Sequence, residues 1–451
     1  MRLDQFPRPQ GDTGIGFRYY ADTHHYDPST LDFWIAELAE LGASWLVLTS
    51  TLEAPVPEHV VRALIAARIE PIIHLDIHPI QPIDRSSFLA LCRRYADWGA
   101  YYLYVYSEPN RVTSWRFEDW AAPGLPSRFA ELLLPVLETT AEAGLLPLVS
   151  PLAPGGQYWD LTFLGQLLDI VTQQAAPSLV DHLGVCIHNP AGNRPLNWGK
   201  GGPTRWPSAR PYQCPPGSQD HRGFYLFEWY DAIIREHLGT SHPLICAATG
   251  LVPGNQDDPD FPAVDDMTHS LRSVEIARLI MDGDVPPYLF NIAFDALAAG
   301  DAEPDDPRAW YRRDSTVLPA VQALKALKKH PRPIDGSSDG SVTHPIYHYL
   351  LIYSPTQTPG AIVWSTRWML QATAEYVEHF QPVIGFSIEE ARRASRVTIV
   401  GTDAAGMDEA EATLRAAGCL VEQIRVTSED ELRRVLGQMV RRGRRFRHLP
   451  G

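Results

Sequence analysis

A single glutamate closes one of the most apolar stretches of this chain. In "YVYSEPNR" (104–111), an alternating run ends at Ser107 and Glu108, and Pro109 and Asn110 follow. A carboxyl group at the tip of a buried run can move a proton, and such work needs a partner group. Polar residues end the other apolar runs in the same way. His24 and His25 follow the first run and Glu53 follows the second. His74 and Asp76 end the third, Ser107, Glu108 and Asn110 the fourth, His188 and Asn189 the sixth, and Asn291 and Asp295 the last. Trp198 lies in the long segment after "IHNP". Carboxylates, histidines, amides and an indole around one opening are the chemistry of a polyhydroxylated ligand. Aromatic faces stack on sugar rings, and carboxylates supply acid–base work.

The elements that must position these groups recur along the chain. Short β-rich runs begin with "GIGFRYY" (14–20), "SWLVLTS" (44–50), "EPIIHLDI" (70–77) and "YYLYVYS" (101–107). "LLPLVS" (145–150), "LGVCIHN" (183–189), "PLICAATG" (243–250) and "YLFNIAF" (288–294) complete eight. Amphipathic segments such as "DPSTLDFWIAELAELG" separate them, with an entry residue at one end and glycine at the other. Strands this continuously apolar, each followed by a helix, predict a closed (β/α)8 TIM barrel, whose working residues sit at the C-terminal ends of the strands. The expected division is a barrel over 1–335, a Gly/Ser-rich linker over 336–345 and a small α/β domain over 346–451. In that domain "IYHYLLIY" reads as a strand and 361–380 as one helix. "RVTIVG", "MDEAEATLRAAG", "CLVEQIRV" and "SEDELRRVLGQMVRRG" then alternate strand and helix.

With the strand endings in place, the chain resembles the large clan of retaining glycoside hydrolases built on a (β/α)8 barrel. "YSEPN" is similar to that clan's "NEPN" ending of strand 4, "IHNP" to its strand 6, and "AATG" to its "TETG" ending of strand 7. The resemblance spans about residues 14–330. It implies a glycoside hydrolase-like protein with Glu108 as acid/base and the strand-4 asparagine position held by Ser107. The nucleophile position falls on Ala248. Retaining hydrolysis needs two carboxyl groups about 5–5.5 Å apart, and a methyl group cannot attack an anomeric carbon. The expectation is therefore a barrel that binds carbohydrate at its mouth with catalysis lost or altered. The alternatives are an active glycosidase in which Asp76, Glu53 or Asp295 partners Glu108, a protein altered at Ala248, and a non-catalytic scaffold. Catalytic roles are assigned to Glu108 and Asp76, and ligand contacts to His24, His25, Glu53, His74, Ser107, Asn110, His188, Asn189, Trp198, Asn291 and Asp295.

Composition sets the limits. The 451 residues carry a net charge of −15, which disfavours nucleic acid as a partner. Five scattered cysteines without a CxxC pair give no disulfide framework or zinc knuckle. "HLDIH" puts His74, Asp76 and His78 on one face of an extended strand, a conceivable metal set, but mutual hydrogen bonding at a polar mouth explains it as well. "GTDAAG" is not a dinucleotide fingerprint, and neither metal nor cofactor is assigned. The N-terminal segment has no signal-peptide pattern and no run matches a membrane span. The expectation is a cytoplasmic protein, with export left open. The arginines from Arg433 to Arg447 predict a docked basic tail, and the C-terminal domain is the candidate surface for self-association.

Overall fold

The computed structural model describes residues 3–301, 303–333, 346–353, 364–402 and 404–449. The expected linker, 336–345, lies outside these. Eight parallel strands close into a barrel in chain order: β1 (Ile15–Arg18), β2 (Trp45–Ser50), β3 (Glu70–Leu75), β4 (Tyr102–Val105), β5 (Leu146–Val149), β6 (Gly184–Pro190), β7 (Leu244–Gly250) and β8 (Leu289–Phe294). The ring closes where Ile15, Gly16 and Phe17 of β1 pair with Ile292, Ala293 and Phe294 of β8.

Local chemistry sets the helices between the strands. The first, Pro28–Leu41, starts where the Asp27 carboxylate accepts from Thr30 N, and stops at Gly42 in the left-handed region (φ 76°). It buries Leu31, Trp34, Leu38 and Leu41. Inside the barrel, Gly16 lets β1 approach β2, because a Cβ there would lie 2.8 Å from Trp45 Cβ. The Trp45 indole is held by Asp12, whose Oδ1 accepts from Trp45 Nε1 (2.7 Å), Ser44 Oγ (3.0 Å) and Gly14 N (2.8 Å).

The strands bury almost every side chain. Among all residues of β1–β8, only Arg18, His188, Ala248 and Pro190 retain appreciable exposure. Arg18, His188 and Ala248 stand at or close to the C-terminal ends of β1, β6 and β7, where loops supply the remaining polar groups.

The chain divides into two compact units. One comprises Gly11–Ala96 and Ala100–Pro333, and the other comprises Arg2–Gln10, Asp97–Gly99 and the chain from Ile334 onward. The second holds a four-stranded parallel sheet of β9 (Ile346–Ile352), β10 (Val383–Gly385), β11 (Ala394–Gly401) and β12 (Leu420–Arg425), in the order β10-β9-β11-β12. One helix was expected over 361–380. Its residues 361–363 lie outside the described residues, and the remainder is two helices, Trp364–Ala372 and Ala374–Phe380, flanking Thr373. Ser428 caps the last helix by accepting from Glu431 N, and the Glu431 carboxylate reaches back to Thr427 N (2.9 Å). The basic tail folds onto its own unit. Buried Glu422 accepts from Arg447 N (3.0 Å) and His448 N (3.1 Å), Phe446 packs against His348, and Arg444 Nε donates to Gly99 O (2.7 Å).

Candidate active site at the barrel mouth

Glu108 is placed by a strained turn. Tyr106 and Glu108 both adopt left-handed backbone (φ 62° and 50°), which costs non-glycine residues roughly 1–2 kcal/mol each. Surrounding bonds hold the turn. Glu108 N donates to Pro151 O (2.9 Å), Ser114 Oγ donates to Glu108 O (2.8 Å), and Tyr106 OH donates to Gln81 O (2.9 Å). The side chain then meets two donors, His188 Nδ1 at Oε1 (2.9 Å) and Arg111 Nε at Oε2 (3.0 Å). His188 is aimed by a register shift between β6 and β7 at Ile187/His188, beyond which it pairs with Ala248. The two neighbouring accessible positions thus present an imidazole and a methyl group.

Burial of Glu108 favours its protonated form. The His188 hydrogen bond and charge, then Arg111 and Arg18, outweigh burial and hold the carboxyl below its ordinary range. A general acid at neutral pH needs the opposite shift, which a second carboxylate nearby normally provides. With Ala248 at the adjacent strand end, that like-charge neighbour is missing from β7.

Four other groups complete the mouth. Arg18 points from β1, and its side chain makes no hydrogen bond or ion pair among the described residues. Burial works against its charge, but the fields of Asp295, Tyr104 and Asp76 outweigh burial. His74 on β3 is 3% exposed and stacks on Tyr104 with ring centroids 4.5 Å apart. Neither of its ring nitrogens has a partner among the described residues. Burial, then the charges of Arg18 and His188, push it well below the usual histidine range, so it stays neutral. Asp76 follows β3 and is partly exposed, with no ion pair on its carboxylate among the described residues. Asp295 lies 3.5 Å from Arg308, whose main partner is Asp306 (2.8 Å).

His74, Asp76, Glu108, His188 and Asp295 therefore gather at one mouth. The remaining sequence-predicted residues are placed elsewhere or are occupied. His24 is exposed, with its backbone N–H on Asp22 (3.0 Å). His25 pairs with Asp22 (2.8 Å), stacks on Tyr20 and lines a cavity of about 500 Å³ with Trp34 and Arg312. Glu53 lies exposed in a loop, and Ser107 is half-buried beside Glu108. The buried amide of Asn110 is spent on Ala153 and Tyr158, tying down the loop after β5. Asn189 Nδ2 donates to Phe224 O (2.9 Å). Asn291 bonds both backbone groups of Cys246 (3.0 and 2.8 Å), bridging β7 and β8 where their register shifts. Trp198 is held by Asp220 (3.0 Å) beneath Arg194. The strand of "HLDIH" ends at Leu75 and His78 is exposed, so the alternation that would align three ligands stops short. Among the described residues no cluster of three or more His, Cys, Asp or Glu could hold a metal ion, and no helix is long and apolar enough to cross a membrane.

Arg18 was missed from sequence because the search followed carboxylates and histidines. Its signal was present: it is the one charge in "GIGFRYY", two residues after Gly16 and thus on the same inward face.

No family model matches the chain, and no curated protein sequence matches it. Among solved structures it is similar to a family 39 glycoside hydrolase from Bacteroides cellulosilyticus WH2, at 14% identity over 72% of this chain and 64% of that one, with a TM-score of 0.45. It is also similar to a monomeric β-xylosidase from Caulobacter crescentus CB15 (12% identity, 72% and 70% of the two chains, TM-score 0.44). A β-galactosidase from Bacillus circulans sp. alkalophilus is similar at 12% identity over 88% and 68%, with a TM-score of 0.37. The chain spans 64% of the length of the Bacteroides enzyme. Glycoside hydrolases thus stand among its structural neighbours, and the (β/α)8 assignment rests on the barrel's own strand order.

Proposed function

We propose that this protein binds a carbohydrate at the C-terminal mouth of its barrel and does not cleave it by the two-carboxylate retaining route. One observation carries the reading: Glu108 is tied as an acceptor between His188 and Arg111, and the strand end next to His188 offers only the Ala248 methyl group. Neutral His74 and partly exposed Asp76 add a donor and an acceptor suited to sugar hydroxyls. On this reading residues 1–335 form the ligand-binding domain and 346–451 a small domain available for self-association.

A second reading draws on Asp76, the mouth carboxylate without an ion pair among the described residues. An inverting hydrolase would use such a group with Glu108 across about 6.5–9.5 Å. The test is turnover of a panel of aryl glycosides and oligosaccharides by the wild type, Glu108→Gln and Asp76→Asn. The binding reading expects no turnover from any of them. Wild-type turnover lost in both variants, with the product released in inverted anomeric configuration, would establish the inverting pair, and any wild-type turnover would end the binding-only reading.

A further inference from the structure

The mouth contains a cation that no described residue neutralises by contact. The Arg18 Nε is buried without a partner, and no carboxylate forms an ion pair with the guanidinium among the described residues. Asp295, the first carboxylate to influence it, is turned to Arg308, and Asp76 makes no bond to it. A buried N–H left in this state is costly unless a further group satisfies it, and the partial exposure of Arg18 leaves the rest of its guanidinium open to a ligand. Beside it stands His74, also buried and with both ring nitrogens unpartnered. Two such groups in one accessible mouth are donors waiting for one acceptor-rich group.

We propose that the ligand is an acidic sugar whose carboxylate is received by Arg18, with His74 beside it. The inference rests on the carbohydrate reading above and narrows it to uronic acids. A guanidinium presents its N–H groups as a fork that matches a carboxylate in two parallel hydrogen bonds. Asp76 and Asp295 lie close by, and their repulsion grows with ligand charge, so a singly charged group is favoured over a phosphate dianion. A carboxylate at position 248 would compete with such a ligand, whereas a methyl group does not.

The test is calorimetric titration of the full chain with two matched pairs: methyl β-D-glucuronide against methyl β-D-glucoside, and methyl α-D-galacturonide against methyl α-D-galactoside. D-Glucose 6-sulfate is titrated alongside. A charge-assisted bidentate contact predicts that the uronide of at least one pair binds roughly tenfold tighter or more than its neutral counterpart. Arg18→Gln should bring that pair to within about twofold of each other. Should Arg18→Gln not fold, Ala248→Glu tests the same point by placing a competing carboxylate in the mouth, and it too should abolish the preference. Equal wild-type affinities within both pairs would overturn the acidic-sugar inference and leave carbohydrate binding intact. A preference that survives Ala248→Glu, or tighter binding of the sulfate than of either uronide, would overturn the carboxylate assignment. Failure of every sugar to bind would instead remove the carbohydrate reading itself.

Discussion

Ala248→Glu is the substitution through which the electrostatics of the mouth can be examined. Ala248 pairs in register with His188, and His188 touches Glu108, so the new carboxylate joins the field that sets the Glu108 pKa. Retaining pairs stand about 5–5.5 Å apart. At about 5 Å and an effective dielectric of about 20, two negative charges repel by roughly 3 kcal/mol, or about 2 pH units. The Glu108 side chain is 25% exposed, so solvent screening reduces this to roughly 1–2 units. That is comparable to what a charge-assisted hydrogen bond from His188 contributes in the opposite direction. Glu108, now held below its ordinary range, should therefore titrate about 1–2 units higher in the variant. Carboxyl infrared difference spectra against pH report this, with Glu108→Gln in each background as the blank. An activated aryl glycoside should then be hydrolysed slowly with retention of anomeric configuration. An unshifted Glu108 would refute the placement of residue 248 within its field, and with it the explanation of why Glu108 is ionised.

Other perturbations have calculable outcomes. Because the Glu108 pKa is depressed in the folded state, its pairing stabilises the protein above the unfolded glutamate pKa, and this contribution is lost as pH falls through the folded value. Urea melts should show Glu108→Gln about 1 kcal/mol less stable at pH 7, with the deficit shrinking as pH falls below the ordinary glutamate range; an equal deficit in both ranges would contradict the shift. His74 should show no imidazole titration between pH 5 and 8 by nitrogen NMR, since burial, then the field of Arg18, keeps it neutral; a midpoint in that window would place it in solvent. Phe446 is 4% exposed against His348, so Phe446→Ala should cost about 3 kcal/mol, read by thermal or denaturant unfolding. A loss under about 1 kcal/mol would mean the tail is not packed as described.

The barrel was legible because its signals are local. Each strand begins and ends within a few residues of an apolar run, and features such as Asp27 and Gly42 mark helix ends through backbone chemistry. Strand β10 escaped because its three residues, Val383–Gly385, are too few to carry a periodicity. The single helix drawn over 361–380 failed to show the interruption at Thr373, where no proline or glycine marks the chain. At the mouth, Glu108, His74 and His188 stood out as polar endings of apolar strands. Asn110 and Asn291 look the same in sequence, yet their amides are taken up by backbone groups of distant segments, and Asn189 gives its Nδ2 to Phe224 O, tertiary facts without a local signature. Arg18 illustrates the converse: its interest lies in an Nε without a partner among the described residues, which only the folded arrangement reveals.

The most direct measurement of the central claim is binding and integrity of the ligand in one experiment. Oligosaccharides, neutral and acidic, are titrated into wild type and Glu108→Gln by calorimetry, and each cell is then analysed by chromatography. Saturable binding to wild type, weakened by the substitution, with every oligosaccharide recovered intact, is the expected result. Recovery of cleaved products from the wild-type cell, or the absence of binding to any oligosaccharide, would contradict it.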